Sequence, residues 1–178
     1  MKESKCLEFK SAITNSFLKT VSAYSNFGDG EILFGVNDDG SVCGIDNLEQ
    51  VCLDIENKIN DSITPKPDFE IEIDEIKQTI RLMVYEGQYK PYLYKGKAYR
   101  RSDTASIEVD QAELKELVLL GSNLYFEELP YGKDNLTFQE LTDKLMEKLN
   151  LNAVSEDILR TLGLFTKNKM YNNAAALL

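Results

Sequence analysis

The stretch "FLKTVSAYSNFGDGEILFGVNDDGSVCGI", residues 17–45, decides the fold class. Ile13, Phe17, Val21 and Tyr24 recur at helical spacing, with Leu18 beside them, so its first half predicts an amphipathic helix. Asn26 and Gly28 punctuate the end of that helix and Gly30 follows. "EILFGV" is an apolar run of strand length, expected to be buried on both faces. "NDDG" reads as a turn, and "SVCGI" as the return strand of a hairpin. A dinucleotide-binding loop runs from strand to helix, whereas this segment runs from helix to strand, and Gly28, Gly30 and Gly35 do not form GxGxxG. They are read as a helix C-cap and a tight turn.

Working outward, "LEFKSA" opens with a short strand upstream. Downstream, Asp46 or Asn47 is placed to cap a second helix whose Leu48, Val51, Ile55 and Ile59 share a face, and "ITPKP" ends it. "FEIEIDEIKQTIRLMVYEG" predicts strand, turn and strand, with Phe69, Ile71 and Ile73 inward and Glu70, Glu72 and Asp74 outward. "PYLYKGKAYRR" predicts a tight hairpin around Lys95-Gly96, and "DQAELKELVLLG" a helix with Gly121 just after it. Beyond Gly121 the composition shifts. Pro130-Tyr131-Gly132 reads as a connector, Thr137 with Glu140 as a capping box, Ser155 as a cap, and "YNNAAALL" as a helix just beginning. Short strands in hairpins with segregated helices predict an α+β fold, a mixed and largely antiparallel sheet flanked by helices with a small helical C-terminal extension.

Composition narrows the chemistry. The 178 residues suit one domain or one domain plus an appendage. No apolar run is long enough to span a membrane, and the N-terminus has no secretory h-region. Cys6, Cys43 and Cys52 lack CxxC spacing and read as reduced thiols of a cytoplasmic protein. The chain has no histidine, which removes the usual Ser-His-Asp and Cys-His catalysis and every His-containing metal site. There is no GxxxxGK[ST] phosphate loop.

The net charge of −10 repels nucleic acid on average, but it is unevenly spread. Between Gly87 and Ser102 there is no acidic residue, while Lys90, Lys95, Lys97, Arg100 and Arg101 interleave with Tyr89, Tyr92, Tyr94 and Tyr99. Such a patch suits a phosphate backbone, and the same pattern equally describes a Tyr-rich hairpin with a solvated lysine face. In "YRRSDT", strand alternation sends the two arginines to opposite sides, one to anchor the acidic body and the other to meet solvent or ligand.

"ESKCLEFK" (3–10), the helix-to-hairpin stretch and "KPYLYKGKAYRRSDTAS" (90–106) occur in an order that resembles the AlbA-like domain of the Schlafen family, over residues 3 to about 118. Bacterial domains of that family are described as DNA-binding parts of transcriptional regulators. The resemblance implies an AlbA-like domain over 3–120 and a helical connector over 121–178 that leads into further domains. It also implies that a single lobe can build a cleft by forming a homodimer.

The function expected is therefore a non-catalytic nucleic-acid-binding module of a bacterial transcriptional regulator, with DNA or structured RNA as partner and no cofactor. Lys90, Lys95, Lys97, Arg100 and Arg101 are expected to contact phosphates, with Tyr92, Tyr94 and Tyr99 packing or stacking beside them. The family also contains metal-dependent endoribonucleases with three carboxylates, whose motif positions match Glu3, Glu8 and Asp38 here. Under that alternative these three hold Mg²⁺ or Mn²⁺, which activates water. Against it, Glu8 is open to a structural role, paired with Lys10 or Arg101. A protein-interaction or dimerisation module is the third reading, favoured by the acidic net charge.

Overall fold

The computed structural model describes residues 2–122, 125–132, 136–149, 153, 155–166, 168 and 170–178. They fall in two compact units, the first ending at Ser122. In the first unit the elements are β1 (Leu7–Lys10), α1 (Phe17–Phe27), β2 (Gly30–Phe34), α2 (Leu48–Ser62), β3 (Ile63–Thr64), β4 (Phe69–Asp74), β5 (Thr79–Val84), β6 (Leu93–Tyr94), β7 (Tyr99–Ser102), β8 (Ala105–Glu108) and α3 (Gln111–Gly121).

The main sheet has the order β1-β2-β5-β4. β1 and β2 run parallel, which a tight turn cannot join, and α1 is the crossover between them. β2–β5 and β5–β4 are antiparallel, so the sheet is mixed and largely antiparallel, as expected. Ile32, Phe34, Ile80, Leu82 and Val84 alternate onto one face, where they meet Phe17, Leu18, Val21 and Tyr24 of α1 and Ile55 and Ile59 of α2. Phe17 and Phe34 pack edge to face with ring centroids 5.3 Å apart. This is the principal core of the unit. Two short ladders, β3–β6 and β7–β8, complete it.

Local expectations are met unevenly. α1 begins at Phe17, so Ile13 precedes it and packs half-buried against the core. β2 is buried on one face only, because the helices cover Ile32 and Phe34 while Glu31 and Leu33 stay half-exposed. "SVCGI" makes no return strand. It is held by a bridge between Val42 and Val36, just beyond the end of β2, since β1 and β5 already occupy both edges of β2 itself. The turn is held by the Asp39 carboxylate, which accepts from Ser41 N at 2.8 Å and Ser41 Oγ at 2.6 Å. β4 is an edge strand. Phe69 and Ile71 pack inward as expected, but Ile73 near its end is exposed. Asn47 caps α2 by position, in the left-handed region with φ 55°, and not through its side chain.

Lys95-Gly96 forms the expected two-residue turn. Both residues have positive φ (52° and 73°), and Tyr94 and Lys97 exchange backbone hydrogen bonds of 2.9 and 3.1 Å. The flanking strands pair elsewhere, β6 with β3 and β7 with β8. α3 opens with a capping box in which Asp110 accepts from Ala112 N and Glu113 N, and Glu113 accepts from Asp110 N. Gly121 lies inside the end of α3 rather than after it. A Cβ there would fall 1.8 Å from the Lys90 carbonyl oxygen, so the close approach of two backbones requires glycine.

The second unit contains a 3-10 turn (Phe126–Glu128), α4 (Gln139–Leu149), α5 (Glu156–Thr161) and α6 (Asn173–Ala176). Phe138, Leu164 and Ala175 centre a small core with Leu136, Leu141, Leu159 and Tyr171 around it. Ser155 caps α5 as expected, accepting from Ile158 N. α4 starts at Gln139, one residue later than a Thr137 cap implies. The expected connector Pro130-Tyr131-Gly132 bridges Pro130 to Asn172. Among the described residues no helix is long and apolar enough to cross a membrane.

Candidate functional site

β1 and β7 each send one charged side chain toward α1. Glu8 and Arg101 are 4% and 5% exposed, and their carboxylate and guanidinium are in direct contact. Glu8 Oε2 also accepts from Thr20 Oγ1 at 2.7 Å, and Oε1 lies 2.5 Å from Lys10 Nζ. Arg101 donates further to Ser106 Oγ at 3.0 Å, and Thr20 Oγ1 lies 2.8 Å from the same Ser106 oxygen. Both oxygens of Glu8 are thus engaged by cations, and the network ties β1, α1, β7 and β8 together.

The other two candidate ligands make different contacts. A Glu3 carboxylate oxygen accepts from Phe9 N at 2.8 Å and so fixes the chain entering β1. Asp38 is exposed in the turn after β2. Among the described residues no group of three His, Cys, Asp or Glu side chains is placed to hold a metal ion, so Glu3, Glu8 and Asp38 are not brought together as a ligand set.

The basic and aromatic stretch divides into two sets. Tyr92, Tyr94 and Tyr99 are 2%, 4% and 7% exposed and belong to the principal core. Of packing and stacking, the fold uses them for packing, because stacking on a base needs an exposed ring face. Asn26 of α1 locks the Tyr92 backbone in place, accepting from its N–H at 2.8 Å and donating to its carbonyl at 2.9 Å. Four of the five cations are engaged by acidic neighbours: Lys90 by Glu86, Lys97 by Glu108 (2.7 Å), Arg100 by Glu113 (2.7 Å) and Arg101 by Glu8.

Lys95 and Lys97 flank the tight turn at Gly96. With Lys19 of α1 they surround an open cavity of about 430 Å³, whose remaining lining is Asn15, Ser16, Tyr94 and Tyr99. Lys19 Nζ stands 5.6 Å from the Tyr99 ring centroid and Lys95 Nζ 5.3 Å from that of Tyr94. Among the described residues neither lysine forms an ion pair. Lys97 is 2.7 Å from exposed Glu108, a hydrogen bond that raises the lysine's pKa. No carboxylate lines the cavity. α1 has no acidic residue in its first turn and its Ser16 side chain makes no cap, so the positive end of the helix dipole on this side is not offset by a carboxylate of its own first turn. The arrangement suits an anion.

Sequence reasoning missed Lys19, which is 76 residues from Lys95 and reads as the polar face of an amphipathic helix. The available signal was the pairing of a lysine with an acid-free first turn.

These features define an α+β domain whose sheet, crossover helix and turns bring distant cations to one helix end. The chain belongs to the Schlafen AlbA_2 family, whose family model matches residues 3–110. Among solved structures, the DIP2311 protein from Corynebacterium diphtheriae is similar at a TM-score of 0.50 and 16% identity, over 98% of this chain and 39% of that one. The chain therefore spans well under half the length of that relative. The N-terminal domain of a RecG-related protein from Nitrosomonas europaea, an ATP-dependent DNA helicase by name, aligns at a TM-score of 0.39 and 20% identity, over 62% of this chain and 84% of that one. No curated protein matches the chain.

Proposed function

We propose that residues 2–122 form a non-catalytic nucleic-acid-binding module, serving a bacterial transcriptional regulator. The observation that carries this reading is the cavity at the start of α1, where Lys19, Lys95 and Lys97 gather with no lining carboxylate. A local site of this kind works despite a net charge of −10, since at physiological salt the Debye length is only about 8 Å and distant carboxylates are screened. Membership of the Schlafen AlbA_2 family is consistent with it. The engagement of Glu8 by Arg101, Lys10 and Thr20 supports a structural role for that carboxylate and not a catalytic one.

The test is binding of fluorescently labelled duplex DNA and hairpin RNA as a function of salt. Each phosphate neutralised on B-DNA contributes a slope of about −0.9 in log K against log salt, so the variant K19A/K95N/K97A is expected to flatten the slope by up to about 3. Unchanged affinity and slope would overturn the proposal. The RNA arm, incubated with Mn²⁺, is expected to remain intact. Cleavage that disappears in E8Q would restore the endoribonuclease reading.

A further inference from the structure

β4 closes one side of the main sheet, and its register with β5 runs unbroken from Phe69↔Val84 to Asp74↔Thr79. Just before it, the Tyr85 N–H donates to the Asp68 carbonyl at 3.0 Å, so these two residues form a hydrogen-bonded pair. Antiparallel ladders alternate bonded and non-bonded pairs. Glu70, Glu72 and Asp74 therefore turn their backbone groups toward β5, while Phe69, Ile71 and Ile73 turn theirs away from it. Among the described residues no strand pairs with this outer edge. The strand carries no proline, lysine or bulge, the usual devices that keep an edge from pairing. It is a regular template in which every second residue offers both an N–H and a C=O.

Side chains decide which strand fits there. Phe69 and Ile71 pack half-buried against the principal core, and exposed Ile73 continues their row. Glu70, Glu72 and Asp74 stand on the opposite face, with exposed Asp68 preceding them at the same spacing. Arg81 on that face is shared between Glu31 at 2.9 Å and Glu72 at 3.4 Å, and Lys77 pairs with Asp74 at 2.9 Å. Glu70 accepts from the neutral Tyr85 hydroxyl at 2.9 Å. Carboxylates thus outnumber cations along the edge, and the Glu72 side chain is 62% exposed. Beside them lies a cavity of about 430 Å³ where Glu72, Ile73 and Asp74 meet Leu33, Val36 and Val42. Arg81 and Lys77 line it too, each already held by carboxylates. Acidic and apolar walls together suit the methylene stem and charged head of a lysine or arginine.

A second copy of the chain is a poor occupant. When two β4 strands lie antiparallel, outward-bonding residues pair with outward-bonding residues. Wherever the strands overlap, Glu70, Glu72 and Asp74 then sit opposite carboxylates of the other copy. Like charges directly opposite destabilise a ladder, whereas basic residues in the same places stabilise it. The edge is guarded against itself and complementary to a basic strand.

We propose that the outer edge of β4 docks an extended segment of a partner protein as an added antiparallel strand, with lysine or arginine at every second position and apolar residues between. The basic residues face Asp68, Glu70, Glu72 and Asp74, and the apolar ones extend the row of Phe69, Ile71 and Ile73. The site is independent of the nucleic-acid reading. The test is NMR titration of the full ¹⁵N-labelled chain with the peptide Lys-Val-Lys-Ile-Lys-Val-Lys. The control peptide has the same composition with its lysines and apolar residues in separate blocks. The amides of Phe69, Ile71 and Ile73 should shift saturably, with a dissociation constant on the order of 1 mM. They should also slow in hydrogen exchange, while Glu70 and Glu72, already bonded to β5, gain no protection. E70Q/E72Q changes only exposed side chains and should weaken the peptide about fivefold. I73P removes an outward N–H, leaves the β5 ladder intact and should weaken it as well. The proposal is overturned if the alternating peptide gives no saturable shifts, if the block peptide binds equally well, or if a folded E70Q/E72Q binds undiminished. Phe69, Ile71 and Ile73 amides already protected in the free chain, with light scattering showing a dimer that I73P dissociates, would give the edge to a second copy and overturn it too.

Discussion

Glu8 and Arg101 show how one pair of residues carries two readings. From sequence, Glu8 stood as a candidate metal ligand or as an internal anchor for Lys10 or Arg101, and it contacts both. Strand alternation made this legible, because it forces Arg100 and Arg101 to opposite sides. The tyrosines were not legible, since a stacking platform and a core strand both interleave aromatic and basic residues. Only tertiary burial separates the two. The ion pair makes an asymmetric prediction. Removing one partner of a buried pair costs about 3–5 kcal/mol. E8A leaves buried Arg101 with only Ser106 Oγ at 3.0 Å and the Ser4 carbonyl at 3.5 Å, whereas R101M leaves Glu8 with Lys10 and Thr20. Urea unfolding should therefore show E8A as the more destabilised variant, and the double variant E8L/R101M as less destabilised than the sum of the two single changes. Equal single-variant costs would mean that Lys10 and Thr20 contribute nothing.

At the scale of elements, what was legible was local. The helical spacing of Phe17, Val21 and Tyr24 gave α1, and "YKGK" gave a tight turn, because both signals lie within a few residues. Pairing is a long-range property. β1 beside β2, β3 beside β6 and β8 beside β7 are set by which sheet edges remain free, and the misread return strand "SVCGI" failed for that reason. The Lys95-Gly96 turn separates charge from fold. Lys95 sits at φ 52°, where asparagine is better tolerated and where Asn-Gly is the preferred two-residue turn. K95N should keep or raise the melting temperature, by circular dichroism, while weakening polynucleotide binding at low salt. A variant that melts earlier would show that Lys95 holds the turn through its contact with the Tyr94 ring.

At the scale of the molecule, α+β was readable from the order of elements, but the mixed sheet was not divisible into its strands by inspection, because its one parallel pair joins residues on either side of a whole helix. The compact units argue for a modular protein. The principal core and the Ala98–Val109–Leu117 cluster draw all their buried members from residues 17–117, and the Phe138–Leu164–Ala175 cluster draws its own from 138–175. A chain of about 120 residues buries roughly two-thirds of the surface its unfolded form exposes, enough to fold alone. A protein ending at Ser122 should therefore keep its near-ultraviolet dichroism and unfold in a single cooperative step. It should also retain the full protein's salt slope for duplex DNA, because Lys19, Lys95 and Lys97 all precede the cut. Loss of cooperativity would show that the first unit depends on residues after 122. Retained folding with a flattened slope would move the nucleic-acid contacts into the second unit and out of the α1 cavity.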